Sequence, residues 1–500
     1  MRKLQILTVI LFSLVLFLPI ATFNFEKEAA SEIDNRMLAE NPFTNGFGIN
    51  GDRTAAVENY VNDRIGLRDE MILAYTVLND RIFGKMVHPS YTYGKNGYVF
   101  GSGFHKIEYG EYHKIFAEMV SQIQEYCESR SVPFLFVLNP EKAAVLSEYL
   151  PSGIEYDHSW IELFLQDLDR RGVHYVDNTI LLREKTQEGE QVYNVKYDAG
   201  HWNDLGAYYG TNNILNTLSK RMPNIHVNTQ EDIEIGESLK TSLLVSRFPI
   251  HELVPQITLH TNYENIGEKY KKELVLDSQF SGFGYCINEE RKEAGSPRVL
   301  VFQGSYMNGL GSKYLLNSFG EYISIHDYQN VINFPYYFNI FKPECVVFEV
   351  ADYTFSDKYF DSERMKAMRL NPNPDFYLKQ ENLGENREAL VRKDYTETNG
   401  DINQRERKEE GKIEIKNVSL EDLSVKEGET LTHIVWNSSQ EGYGWLKLGK
   451  DFYDFSKTES GYETTVLTED YKANGKTMEI VVLEGGNEIT DELGLTVTIE

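Results

Sequence analysis

RVLVFQGSYMNGLGSKYLLNSF, residues 298–319, decides how the central part of this chain folds. RVLVFQ is an apolar run with no alternation, which reads as a strand covered on both faces. Gly304 and Ser305 read as a turn, and SKYLLNSF as a helix opening a few residues later. The same order recurs on both sides of this stretch. A helix over 111–130 leads into the strand VPFLFVLN (132–139), and a helix over 160–171, stopped by Gly172, leads into VHYVD (173–177). YISIHD (322–327), a helical stretch interrupted by Pro335, and ECVVFEV (344–350) follow. Strands of this kind separated by helices predict a mostly parallel sheet with helices on both faces, a three-layer α/β unit over 111–383. The stretch 224–297, with pieces such as QITLHTNY and KKELVLDSQF, is expected to be a β-rich insertion in it.

Outward from that unit the sequence changes character. Residues 1–23 place Arg2 and Lys3 ahead of LQILTVILFSLVLFLPIATF, uncharged until Glu26. That is about the length of apolar chain that crosses a bilayer, with its basic flank N-terminal, so a retained signal anchor with the following chain outside the cytoplasm is expected. A cleaved signal peptide is the rival, though no small-x-small site follows. Residues 24–110 form an N-terminal extension: amphipathic helices over 52–87, with Val57, Val61, Ile65 and Met71 at helical spacing, then the hairpin pattern YTYGKNGYVFG. Residues 384–411 are charge-rich and read as a solvated linker. In 412–500 period-2 segments (KIEIK, ETLTHIVW, GWLKLG, TMEIVVLEG, LGLTVTIE) divided by turn residues predict a small β-sandwich.

The formal net charge is −27, from 50 Lys and Arg against 77 Asp and Glu, which argues against nucleic acid as a partner. Cys127, Cys286 and Cys345 are too few for a disulfide framework or a cysteine zinc site. Cys345, in CVVFEV, reads as a core residue, while a pairing of Cys127 with Cys286 stays open. No metal or organic cofactor is implied, since the histidines show no clustered ligand spacing.

The carboxyl end of a strand in such a sheet is where ligands bind, and Ser305 on the strand-to-helix turn is held at that rim. Alone this says little, because Gly-Ser turns after strands are common. A second stretch, KYDAGHWNDLGAYYG (196–210), adds a base and a carboxylate, His201 and Asp198, ahead of another helix. A serine hydroxyl needs such a base to take its proton and an acid to orient the base. The same residues also suit an ordinary helix start, with Asn203 or Asp204 as cap, His201 and Trp202 packing there, and Asp198 in a turn.

Ordered matches now bear on this choice: NRMLAENPF (35–43), AAVENYVNDRIGLRDEMI (55–72), YGKNGYVF (93–100), NPEKAAVLSEYLP (139–151), DAGHWNDLGA (198–207) and VLVFQGSYMNGLGSKYLLNSF (299–319). Over roughly residues 25–385 the chain resembles the DHHW and alginate O-acetyltransferase-like family of the SGNH hydrolase-like superfamily. The resemblance implies an SGNH-like catalytic domain and a triad of Ser305, His201 and Asp198. It also sets Lys142 near the cleft, where a lone loop lysine would otherwise be solvated. Two departures stand out: Gly304 replaces the family's usual aspartate before the serine, and Ala199 and Gly200 put two residues between acid and base where one is usual. Gly304, Tyr306, Asn308 and Trp202 are candidates for lining the oxyanion or substrate site, with packing an equal reading for Tyr306. Glu349 and Asp352 end the last strand near the same rim, without an assigned role.

In the C-terminal part, Trp436, Tyr443 and Trp445 are candidate sugar-stacking rings, although a domain of about 90 residues needs most of its aromatics for a core. The expected activity is extracytoplasmic O-acetylation of a polysaccharide or cell-wall glycan through an acetyl-serine, with the acetyl group supplied by a membrane-bound O-acyltransferase. The alternatives are a carbohydrate esterase using the same triad with water, and an inactive glycan-binding or scaffold protein.

Overall fold

The computed structural model describes residues 2–27, 29–31, 33, 36–43, 53–104, 107–244, 246–277 and 282–375. In the C-terminal part it describes 390–393, 406–409, 412–416, 423–437, 443–458, 461–484, 489–490 and 496–497. The rest of the 384–411 segment, the Gly485-Gly486 turn and most of LGLTVTIE lie outside the described residues.

The apolar leader is one helix, α1 (Arg2–Ala21), long and apolar enough to cross a membrane. Two helices follow, α2 (Arg53–Arg64) and α3 (Arg68–Phe83), then the antiparallel hairpin of β1 (Tyr91–Tyr93) and β2 (Val99–Gly101). Of the apolar residues at helical spacing, Val61 and Met71 are exposed, whereas Arg64 and Thr76 are buried. The cause is local polar demand. The Arg64 guanidinium binds the carbonyls of Asn24, Glu26 and Ala39, which fastens the chain leaving α1 onto α2.

The α/β unit contains α4 (Glu111–Ser129), β3 (Phe134–Asn139), α5 (Ser159–Arg170), β4 (Tyr175–Asp177), α6 (Thr179–Gln187) and α7 (Asp204–Ser219). There follow β5 (Ile233–Ser242), β6 (Pro249–Leu259), β7 (Glu264–Asn265), β8 (Gly282–Ile287), β9 (Arg298–Gln303), α8 (Ser312–Leu316), β10 (Glu321–His326), α9 (Phe334–Phe341) and β11 (Cys345–Ala351). Seven strands form one sheet in the order β4-β3-β11-β9-β10-β8-β7. The first five are parallel, and β8 and β7 close one edge antiparallel. The segment 224–297 therefore divides: β5 and β6 form a separate long hairpin, while β7 and β8 extend the main sheet. Pro335 does not interrupt α9 but stands in its first turn, where its missing N–H costs nothing.

Alternate residues of the central strands enter two cores. Phe136, Phe302 and Phe348 face α4, α5 and α9, whereas Val137, Val301 and Val347 face α7 and α8. That is why the strands read as unbroken apolar runs, and it fixes the third layer. Cys127, Cys286 and Cys345 are all buried free thiols, so the pairing of Cys127 with Cys286 does not occur.

The C-terminal part has two four-stranded antiparallel sheets. It is fastened to α4 and α9 through Asp454, which is buried, receives Arg130 Nη2 at 3.2 Å and the Tyr126 hydroxyl, and whose backbone exchanges two hydrogen bonds with Asn339. Trp436 and Trp445, expected as sugar-stacking candidates, are core residues: they are 5% and 0% exposed and leave no free ring face. A small sandwich lacks other bulk to fill its interior. The side chain of Tyr443 lies outside the described residues.

Candidate active site

The nucleophile turn starts where β9 ends. Gln303 closes the strand, Gly304 turns, and Ser305 opens a helical segment that passes through a π-helical turn (Met307–Gly311) into α8. At Gly304 there is little room for a side chain. A Cβ there would stand 3.3 Å from both Glu349 Oε2 and Tyr328 Cε1.

The second half of the site is the loop before α7. Asn203 caps that helix, its side-chain oxygen accepting from the N–H groups of Leu205 and Gly206 at 3.0 Å. Asp204 is no cap; it pairs with Lys313 at 2.5 Å and accepts from the Ile257 N–H, tying α7 to α8 and β6. Trp202 is buried below the loop against Gly206 and Gly210, where a Cβ on Gly210 would come within 2.3 Å of the indole. This wedge aims the preceding residue, His201, at the end of β9.

The two halves meet. His201 Nε2 lies 2.9 Å from Ser305 Oγ, and Nδ1 lies 3.2 Å from both oxygens of Asp198. Asp198 also accepts from the N–H groups of Gly200 and His201, so the two residues between acid and base form a tight turn that presents the carboxylate to the ring. Burial raises the Asp198 pKa, but the His201 ring and these two N–H groups outweigh it and hold the carboxyl below its ordinary value. Burial likewise works against charge on His201, yet Asp198 and, more weakly, Glu349 hold its pKa above the ordinary value. With Nδ1–H directed at the carboxylate, Nε2 is the free lone pair facing the serine, which is the tautomer a general base needs. The imidazole retains 32% exposure, so the site opens to solvent.

Residues 109–266 match the family described as SGNH hydrolase-like domain, acetyltransferase AlgX. This chain carries an SGNH hydrolase-like domain. The matched residues include Asp198 and His201 and end before Ser305. No curated protein sequence matches. Among solved structures, Bacillus cereus PatB1 with a sulfonyl adduct is similar over 53% of this chain and 94% of its own, at 17% identity and a TM-score of 0.40. A DHHW family protein from Eubacterium siraeum is similar over 55% and 94%, at 16% identity and a TM-score of 0.38. The O-acetyltransferase domain of Pseudomonas putida AlgJ is similar over 59% and 100%, at 13% identity and a TM-score of 0.37. These are likenesses, and no residue role is taken from them.

Within the SGNH domain the other candidate residues separate by role. Tyr306 is buried, and its hydroxyl donates to the carbonyls of Pro140 and Gly200, so it braces the His201 loop and offers no side-chain donor to a substrate. Asn308 is exposed, with its backbone N–H spent on Gly304 O and its side-chain oxygen on Gln303. Lys142 is neither solvated nor free: it is 0% exposed and its ammonium donates to the carbonyls of Val99, Val195 and Asp198. Burial lowers its pKa to about 7, against the pull of Asp198 and Glu252. It therefore supports the backbone of the acid.

Two further side chains bear on the triad. The Tyr353 hydroxyl lies 2.5 Å from Ser305 Oγ and 3.4 Å from His201 Nε2. Nothing in the sequence marks this tyrosine, which stands 48 positions from the serine and reaches it only because β11 and β9 are neighbours. Glu349 accepts from the Gly304 N–H at 2.6 Å and from Asn139 Nδ2 at 2.8 Å. Here a signal did exist, a lone acid inside the fully buried run CVVFEVA. Burial pushes its pKa up to about 7, although its hydrogen bonds and His201 pull the other way.

Proposed function

We propose that this protein is an extracytoplasmic O-acetyltransferase that acetylates hydroxyls of a polysaccharide or cell-wall glycan through an acetyl-Ser305 intermediate. The contact of His201 Nε2 with Ser305 Oγ at 2.9 Å, with Asp198 behind the ring, carries the reading. In the first half-reaction Ser305 Oγ bonds to the acetyl carbonyl carbon as its proton passes to Nε2. The donor's leaving oxygen then departs with that proton. In the second, a sugar hydroxyl gives its proton to Nε2 and attacks the acetyl-serine, and Ser305 leaves and recovers the proton. Tyr353 donates toward the oxyanion formed at each step, from the place its hydroxyl now occupies beside Oγ. The acetyl donor is delivered by a membrane-bound O-acyltransferase while α1 retains the protein in the membrane.

The test is incubation of the protein with an activated acetyl ester, followed by mass spectrometry of its peptides. An acetyl group on Ser305, absent in His201→Ala, supports acyl transfer. Passing that group to an added oligosaccharide faster than to water supports the transferase. Release to water alone, unaffected by any glycan, would assign an esterase.

A further inference from the structure

A buried acid in the middle strand of a sheet is costly, because an ionised carboxylate taken out of water loses several kcal/mol of hydration unless its partners replace it. Glu349 is 0% exposed, on the face of β11 that packs against α7. Its hydrogen-bond donors are arranged around one task. The Gly304 N–H, on the turn that carries Ser305, donates to its carboxylate at 2.6 Å. On the other side Asn139 Nδ2 donates to Glu349 Oε1 at 2.8 Å, Asn178 Nδ2 donates to Asn139 at 2.8 Å, and Asn213 Nδ2 donates to Asn178 at 2.9 Å. Asn213 belongs to α7, the helix that follows the His201 loop. A row of side chains thus runs from the base's helix across β3 and β11 to the nucleophile's turn.

We propose that Glu349 is a positioning residue of this site, holding the Ser305 turn through the Gly304 N–H and placing a carboxylate against the turn whose serine His201 contacts. Resting on the acyl-transfer reading, this deepens it. Gly304 belongs to the same device. With no side chain at 304, the carboxylate approaches the backbone nitrogen to 2.6 Å, on ground that an aspartate at that position would claim. A neutral amide could satisfy the Gly304 N–H equally well, so charge is the property to test.

The full-length protein in detergent is treated with p-nitrophenyl acetate from pH 5 to pH 9, and the rate of Ser305 acetylation is measured by mass spectrometry for wild type, Glu349→Gln and Glu349→Asp. The expected result is a plateau at least tenfold lower in Glu349→Gln, with its acidic limb moved to lower pH because the anion against the nucleophile's turn is gone. Glu349→Asp, which keeps the charge but withdraws it from Gly304, is expected to lose rate and keep the wild-type limb. If Glu349→Gln shows no cooperative melt, Gly304→Ala, whose Cβ crowds the carboxylate, decides by the same limb: displacement supports the proposal and an unmoved limb overturns it. A folded Glu349→Gln with an unmoved limb, at any plateau, overturns it too. Absence of Ser305 acetylation in wild type overturns the acyl-transfer reading itself, and this proposal with it.

Discussion

Ser305, His201 and Asp198 stand in hydrogen-bonded series, and the outcome of breaking the series depends on which link goes. Asp198→Asn preserves the shape and reverses the donor at Nδ1, so the ring presents the wrong tautomer; Ser305 acetylation is expected to fall by about 10⁴ while the melting temperature changes little. Tyr353→Phe removes one donor beside the oxyanion and is expected to cost about 10²-fold in acetylation rate, measured with the same activated ester. The base works only when neutral, and Asp198 holds its pKa above the ordinary histidine value. The rate of acetylation should therefore fall as pH drops through a midpoint above about 6.5, tenfold per unit below it. Stability carries the opposite sign at Glu349. Its folded pKa of about 7 exceeds that of an unfolded glutamate, so the folded state binds more protons between them, and stability is lost as pH rises through that window. The loss is on the order of 3 kcal/mol, and the melting temperature of Glu349→Gln should lack that decline between about pH 4.5 and pH 7.

At the scale of elements, the strands and the helices that cover them were legible because each strand is apolar on both faces and ends at a turn residue. RVLVFQ stopping at Gly304, and a capped helix following His201, place two chemical groups at helix entries of one α/β unit. Two things were not legible. Lys142 was expected near the cleft or solvated, and its burial was not visible because its acceptors are carbonyls at positions 99, 195 and 198, and backbone oxygens leave no trace in a sequence. Tyr353 acts across strand neighbours, and a strand order in which β11 separates β3 from β9 cannot be read from local periodicity. The packing of α7 gives a direct test of how this element aims the base. Gly210→Ala would drive a methyl into the Trp202 ring. Overpacking of that kind should cost about 1–3 kcal/mol in stability and lower acetylation by shifting His201, with substrate-independent melting separating the two effects.

For the molecule as a whole, the junction between the α/β unit and the sandwich is polar and buried. Removing the Asp454 carboxylate leaves the Arg130 guanidinium in low dielectric without its anion, among neutral partners such as the carbonyls of Tyr126, Asn371 and Pro372 and the Ser129 hydroxyl. Asp454→Ala is expected to destabilise the protein by about 3 kcal/mol, seen as an earlier urea transition, while Ser305 acetylation in the remaining folded protein is unchanged. The opposite end of the molecule is fastened as closely. The Gly66 N–H donates to Pro19 O, the Asn24 N–H donates to Arg64 O, and Thr22 packs against the α2–α3 corner so tightly that Gly66 has no room for a Cβ. A body clamped this near to its apolar helix has no leash to swing on. Retained in a bilayer, it would work like a plane on its bench, at one set height, and Ser305 would meet only what passes through that thin layer.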